Sequence, residues 1–514
     1  MQIISQKLIT FAHHYYNKVE TKMKLKQILF VIVLLFAQQL HATVYYASPT
    51  GTDATGTSKA APGSITAMIG KLKAGDQLIL LNGQYDMKSL IKISQSGTAD
   101  QYITIVADDG AKPILDFREL PNGKNQNAIQ LTGNYFHLKG FVVRYSGYKG
   151  IWVEKGKYNI LDNLEVYGCC DSGIQLRSGG YNMVINCDSH DNFDYQNNGG
   201  NADGFADKQG DACSGNVYIG CRSWNNSDDG WDSYERVTDG TPTVYINCIT
   251  YNNGPASFNL TNHPRVKGVD AGLDCFNGKD LANFPNGGNP NGFKLGGKGT
   301  AHNTELYRCL AVNHRSKGFD QNNNAGKMKI VNCTAYLNKL NYGFGNDYDY
   351  TLDIHNCISF EPGDGAKGHL VTAKKGTVTQ SHNTWNDGFS VSDADFESLD
   401  VENLILSPRN ADGSLAETLL LHLKSTSALI DKGMIYEASR FEGDQIGKYV
   451  AYKGAAPDLG CYEYDASPSA IETLTFDDIK LLNPNAPCYN LQGRRVDASY
   501  KGIIIQSGRK FLSK

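Results

Sequence analysis

The sequence predicts an all-β chain wound as a right-handed parallel β-helix, a solenoid with an N-terminal cap and a small C-terminal β tail. Two repeating marks carry that prediction. The first is a Cys preceded by a polar residue or Gly: Asn186-Cys187, Gly220-Cys221, Asn247-Cys248, Arg308-Cys309, Asn332-Cys333 and Asn356-Cys357. The second is Gly followed by a large apolar residue: Gly150-Ile151, Gly173-Ile174, Gly204-Phe205, Gly230-Trp231, Gly292-Phe293, Gly318-Phe319 and Gly343-Phe344. Both keep one phase with a basic period of about 24 residues, too short for a propeller blade, and no helical stretch recurs as a leucine-rich repeat requires. Three short strands and three turns per coil fit that length. Each strand then pairs with its counterpart one coil away, at about 4.8 Å, so residues of equal phase stack.

At 514 residues, length alone suggests two or three domains, but a repeat array absorbs several hundred residues into one architecture. The first segment, 1–42, reads as a secretory signal peptide. Lys24 and Lys26 precede an apolar run from Ile28 to Ala37, and Leu40-His41-Ala42 forms a small-residue exit. The run is too short for a membrane span. Met23 offers an alternative start, and the absence of a Cys at the cleavage point argues against a lipid anchor. The mature chain is expected from about Thr43, secreted, periplasmic or at the cell surface.

Residues 43–133 form the cap and first coils. Val44 to Gly51 reads as strand and turn, Ile65 to Leu72 as a short helix covering the first apolar rung, and Gly75 to Tyr85 as the first clear strands. The main coils occupy 134–370. One interval, Gly230 to Gly292, is more than double the others, and within it Asn259 to Pro290 is rich in Gly, Asn and Pro. Such an insertion makes a groove wall or an extra coil. Further coils and a closing segment are expected over 371–465, where Leu429 to Gly433 and Pro457 to Glu463 resemble the closing segments of exported β-helix proteins. The tail, 466–514, has a few strands around Tyr489 to Val496 and Lys501 to Ile505 and resembles C-terminal tails that include sorting signals.

Twelve cysteines in an exported chain would ordinarily mean disulfides. Six of them fall on the repeat and are expected as an interior file of small buried hydrophobes. Cys169, Cys170, Cys213, Cys275, Cys461 and Cys488 are left open. Asparagines follow the file cysteines by four or five residues: Asn192, Asn225 or Asn226, Asn252 or Asn253, Asn313 and Asn338. Asn tolerates the left-handed region and bonds backbone at bends, so these are expected to form an amide ladder. The net charge of −4 gives no sign of nucleic-acid binding. An anionic partner must be held by a local cation.

The site follows from phase. Asp203, Asp229 and Asn291 stand immediately before the Gly of the second mark; Ala206, Asp232, Lys294 and Asp320 stand two residues after it. If the long interval is a loop, Asp203 lies beside Asp229, and Asp232 beside Lys294, with Asp228 joining from the preceding turn. Singly, these acids are most simply caps of turns. Together, Asp203, Asp228, Asp229 and Asp232 repel one another without a cation, and oxygen-only ligands in an exported protein suit Ca²⁺. Lys294 alone would be a solvated lysine; beside a cation its pKa falls and it becomes a candidate general base. Metal plus base points to β-elimination on a uronic acid polymer: Lys294 removes the C5 proton, the C4 glycosidic oxygen leaves, and a 4,5-unsaturated sugar results.

Asp203, the Asp228-Asp229-Gly230-Trp231-Asp232 cluster and Asn291-Gly292-Phe293-Lys294 resemble polysaccharide lyase family 9, the calcium-dependent pectate lyase and rhamnogalacturonan lyase family, over roughly residues 43 to 465. The resemblance implies a parallel β-helix, a calcium site of four aspartates, a lysine base, endo action and an extracellular or periplasmic location. The substrate class is acidic pectic polysaccharide, polygalacturonate or, alternatively, rhamnogalacturonan. Arg315 and Lys317 are candidates for binding neighbouring substrate carboxylates, with Arg236 and Lys298 behind them. No membrane span is expected, and the protein should be a monomer. Two rivals remain: a β-helix glycoside hydrolase, with Asp228 and Asp229 as its acid pair, and a non-catalytic glycan-binding solenoid. Polygalacturonase-type Gly-His-Gly and Arg-Ile-Lys segments are absent from the sequence.

Overall fold

A computed structural model describes residues 42–210, 215–238, 240–363, 368–436 and 451–465, and the backbone of four strands between 488 and 513. Three parallel sheets of 12, 10 and 10 strands run its length, each coil laying one strand in each. In one coil, Val217–Ile219, Arg222–Trp224 and Trp231–Asp232 occupy the first, second and third sheets in turn. The expected cap helix spans Ile65–Ile69, begins at the N-cap Ser64 and buries Ile65, Met68 and Ile69. The signal-peptide reading covers residues 1–42, of which all but Ala42 lie outside those described. Among the described residues no helix is long and apolar enough to cross a membrane.

The first mark is a corner. The residues before the six file cysteines, Asn186, Gly220, Asn247, Arg308, Asn332 and Asn356, all take positive φ, between 50° and 60°. Asn and Gly carry the least penalty in that left-handed region, which is why they recur there. The cysteines that follow point inward and are fully buried. All ten cysteines with described side chains are free thiols. That accounts for Cys169, Cys170, Cys275 and Cys461; Cys213 and the Cys488 side chain lie outside the described residues.

The second mark builds an interior aromatic stack, Phe205–Trp231–Phe293–Phe319–Tyr342, with successive ring centroids 4.6, 4.8, 5.1 and 5.0 Å apart. The preceding glycines are enforced by close approach. A Cβ on Gly204 would stand 2.0 Å from Ser223 Oγ, and one on Gly230 2.1 Å from Thr250 Oγ1.

The asparagine repeat resolves into two ladders. Asn225, Asn252 and Asn313 take the left-handed region, and their amides bond outside the barrel at 2.8 and 3.4 Å. Inside, Asn192 donates to Asn226 at 2.7 Å and Asn226 to Asn253 at 2.8 Å. The next inner rung is His314 Nδ1, which accepts from Asn253 N–H at 3.1 Å, so the inner amide ladder skips Asn313.

The long interval is a loop. Trp231 pairs directly with Phe293, and Asp232 with Lys294, so no coil intervenes on the third sheet. The insertion replaces one turn between the second and third sheets. It carries a short antiparallel pair, Ser257–Phe258 with Phe284–Pro285. Leu260, Val266, Phe276 and Phe284 pack on Phe193 and Tyr195 of an earlier coil. Buried Arg265 ties it further back, donating to the carbonyls of Leu120 at 2.7 Å and Tyr145 at 2.8 Å. It therefore spans several coils as a wall beside the third sheet.

Over 371–465, where further coils and a closing segment are expected, the strands of the coils end at Ser381. After His369–Val371 and Thr377–Ser381 the chain turns back along the second sheet. Phe396, Val401, Ile405, Leu420, Leu421, Leu423, Leu429, Leu459 and Cys461 cover Leu310, Val312, Tyr336, Ile358 and Phe360. Those strands are apolar on both faces, so their outer face needs a cover instead of more rungs. In the tail, Cys488–Asn490, Arg495–Val496, Gly502–Gln506 and Arg509–Ser513 form a four-stranded antiparallel sheet, as the expected few strands require.

On the second sheet His190 stacks on Trp224 at 4.1 Å and on Tyr167 at 5.0 Å. Burial alone would lower its pKa, but Asp191 at 2.6 Å and Glu165 at 3.3 Å flank both ring nitrogens and raise it to about 9. A folded pKa above the unfolded 6.5 gives stabilisation that is complete below pH 6.5 and lost as pH rises through 9. The melting temperature of the wild type is expected to fall across that interval, and His190→Phe, which keeps the stack, should flatten the fall.

Candidate active site

Five strands of the third sheet carry the site: β1 (Ile174–Arg177), β2 (Phe205–Asp207), β3 (Trp231–Asp232), β4 (Phe293–Lys294) and β5 (Lys317–Asp320). Their register places Ala206 beside Asp232, Asp232 beside Lys294, and Lys294 beside Asp320. Because alternate residues face opposite sides of a strand, these side chains lie on the outer face, opposite the aromatic stack. The row before the glycines is equally in phase. Asp203 Oδ1 accepts from Asp229 N–H at 3.3 Å, and Asp229 Oδ1 from Asn291 N–H at 2.8 Å.

Asp203, Asp229 and Asp232 converge, with one oxygen from each within 4.8 Å of the others. Asp203 and Asp229 are fully buried and Asp232 nearly so. Lys294 Nζ contacts Asp229 Oδ2 at 2.8 Å and Asp232 Oδ1 at 3.3 Å. A second lysine, Lys208, enters from the end of β2. Its Nζ lies 2.7 Å from Asp203 Oδ2 and 2.9 Å from Asp232 Oδ2. Asp203 Oδ2 also accepts from Ser172 Oγ at 2.8 Å, and Asp232 Oδ1 from Tyr234 N–H at 2.9 Å.

Asp228 stands apart from the three. Its Oδ2 accepts from Asn201 N–H at 3.0 Å and its Oδ1 from Asn289 N–H at 2.9 Å, so it ties the returning end of the insertion to the turn of the preceding coil. Each of its oxygens keeps a second lone pair.

Burial pushes Asp203 up to about 7 against the pull of Lys208, and pushes Asp229 well above the carboxylate range against the pull of Lys294. Burial acts the same way on Asp232, but the two lysines together hold it below that range. Burial opposes the charge of each lysine, and the surrounding acids outweigh it, holding Lys208 and Lys294 well above the ordinary range. Both are ammonium groups in this arrangement. With all four acids ionised, as metal ligation requires, four carboxylates and two ammoniums leave two negative charges, matching one divalent cation. The donors are all carboxylate oxygens, so the residues present fit a hard divalent ion.

The expected substrate cations fare differently. Arg236 is corrected: it is fully buried, 3.1 Å from Asp207 Oδ1, and donates to the Gly179 carbonyl at 2.7 Å. The chain turns inward after Asp232 and takes it out of a ligand's reach. Arg315 donates to the carbonyls of Asn286 at 2.8 Å and Gly288 at 2.6 Å, bracing the insertion. Lys317 stays 31% exposed and pairs with Asp320 at 2.8 Å, one rung beyond Lys294. Exposed Lys298 pairs with half-buried Glu235 at 2.5 Å and lies over the Tyr234 ring, as Lys294 does. Lys208 and the double role of Asn291, whose side-chain N–H also donates to Asp229 at 2.8 Å, are absent from the sequence reading. A signal for Lys208 exists, since the register that pairs Leu176 with Asp207 sets Lys208 next to Arg177 on the outer face.

Fold and site define a parallel β-helix protein with a buried acidic centre bridged by two lysines on its third sheet. A family model described as Pel9A-like, right handed beta helix region, matches residues 45–357. Pectate lyase L of Dickeya dadantii is 32% identical over 433 residues, 82% of this chain and 90% of that protein. The crystal structure of pectate lyase Pel9A superposes with a TM-score of 0.68 at 31% identity, covering 82% of this chain and 96% of that one. A rhamnogalacturonan lyase shares the fold, with a TM-score of 0.61 at 24% identity over 75% and 97% of the two chains. The chain belongs to polysaccharide lyase family 9, the Pel9A-like right-handed β-helix family, and is a polysaccharide lyase.

Proposed function

We propose that this chain is an exported pectate lyase that cleaves polygalacturonate, an acidic pectic polysaccharide, by calcium-assisted β-elimination. The observation that carries the proposal is the placement of Lys294 on the outer face of the third sheet, its Nζ against Asp229 and Asp232. Pectate lyase names on relatives that align over most of this chain support the substrate class. Asp203, Asp229 and Asp232, with Asp228 at their border, would hold Ca²⁺. That ion supplies positive charge against the substrate carboxylate and against the charge that develops when its C5 proton leaves.

Lys294 takes the C5 proton, the C4–C5 double bond forms, and the C4 glycosidic oxygen departs with its electron pair. The pairing acids keep Lys294 protonated without calcium. With calcium held there, those carboxylates would no longer pull on Lys294, whose pKa would then fall toward that of a working base. Lys317 and Lys298, at the rung and loop flanking Lys294, would meet carboxylates of neighbouring sugars. Export rests on the leader before Thr43.

The test is to incubate the full mature chain with polygalacturonate and with rhamnogalacturonan backbone, with and without CaCl₂, following ultraviolet absorbance of the unsaturated product. Calcium-dependent absorbance on polygalacturonate is expected. Absorbance on rhamnogalacturonan alone would move the substrate to the other family activity.

A further inference from the structure

We propose that Lys208 is a positioning residue, a resident cation that orients Asp203 and Asp232 and keeps the acidic centre assembled before a metal binds. The inference rests on reading those acids as metal ligands. Lys208 Nζ bridges two coils, contacting Asp203 of its own coil and Asp232 of the next. Its side chain is 9% exposed, against 0% for Asp203 and 3% for Asp232, so the two acids meet Lys208 away from bulk water. Between them the register places Ala206, whose methyl leaves room for the lysine where the neighbouring rungs carry Gln175 and Asp232.

Lys208 and Ser172 together fix Asp203 Oδ2, which turns Oδ1 toward Asp229 N–H. Lys294 serves Asp229 in the same way, but its role as base requires it to leave the acids; Lys208 holds Asp203, which Lys294 does not contact, and shares Asp232 with it. Without Lys208 the four acids would face one ammonium, and the centre would hold one negative charge more than a divalent cation neutralises. Buried carboxylates without partners are strongly destabilising.

The test is thermal unfolding of the full mature chain as wild type, Lys208→Met, and Lys208→Met combined with Asp203→Asn, each in EGTA and in CaCl₂. Lys208→Met is expected to melt about 5 °C below wild type in EGTA, and by clearly less in CaCl₂. The double variant, which removes one charge of each sign, should recover most of the loss in EGTA. Equal losses in both buffers with no recovery by Asp203→Asn would reduce Lys208 to packing and overturn the proposal. If CaCl₂ leaves even the wild type unmoved, the calcium reading fails, and recovery in EGTA still decides the role of Lys208.

Discussion

Lys294→Ala is expected to lower turnover of polygalacturonate by about a thousandfold while the fold persists, because general base catalysis contributes at that scale and the β4 backbone keeps its register with β3 and β5. The variant should still bind polymer, so the loss appears in kcat far more than in KM. Lys294→Arg should be nearly as poor, since guanidinium does not shed its proton. In the wild type the rate should rise with pH into the alkaline range. The sign follows from the role of the base: only the unprotonated amine accepts the C5 proton, so the calcium-loaded enzyme gains rate as Lys294 loses its proton. Full activity in Lys294→Ala would remove the base from the mechanism.

Calcium removal is the second large effect. In EGTA the activity should fall to background and return with a saturable dependence on CaCl₂. Asp229→Asn and Asp232→Asn should raise the calcium concentration at half-saturation by about tenfold or more, because affinity at such sites follows the number of charged oxygen ligands. Asp228→Asn should act more weakly on affinity and more on the wall, since Asn201 and Asn289 N–H already hold its oxygens. Activity indifferent to EGTA in the wild type would sink the metal role.

Much of this arrangement is readable from periodicity. A β-helix stacks residues of equal phase, so aligning Gly230-Trp231 with Gly292-Phe293 is already a statement of contact, and Asp232 and Lys294 pair as that alignment requires. The inward file of cysteines is readable for the same reason, whereas periodicity leaves the long interval as either a loop or an extra coil, and only the pairing of Trp231 with Phe293 decides for the loop. What periodicity does not reach is direction off the strands. Arg236 follows a turn, and whether a turn residue folds inward or outward depends on the loop path, here toward Asp207. Lys208 stands four residues after Gly204, two past the window that exposed Asp232 and Lys294. His314 replaces an amide in the inner ladder because an imidazole nitrogen accepts the same backbone N–H. The closing segment folds back on the second sheet because burial on both faces of Leu310, Val312 and Ile358 shows only when all coils are assembled.

The central claim is that bond cleavage here is an elimination driven from the Lys294 face of the third sheet. The direct measurement is mass spectrometry of oligogalacturonides released from polygalacturonate in heavy-oxygen water with CaCl₂. Elimination predicts new non-reducing ends one water lighter than hydrolysis products, with no heavy oxygen fixed in the cleaved bond, and their disappearance in Lys294→Ala. Saturated products carrying heavy oxygen would mark a hydrolase and contradict the account.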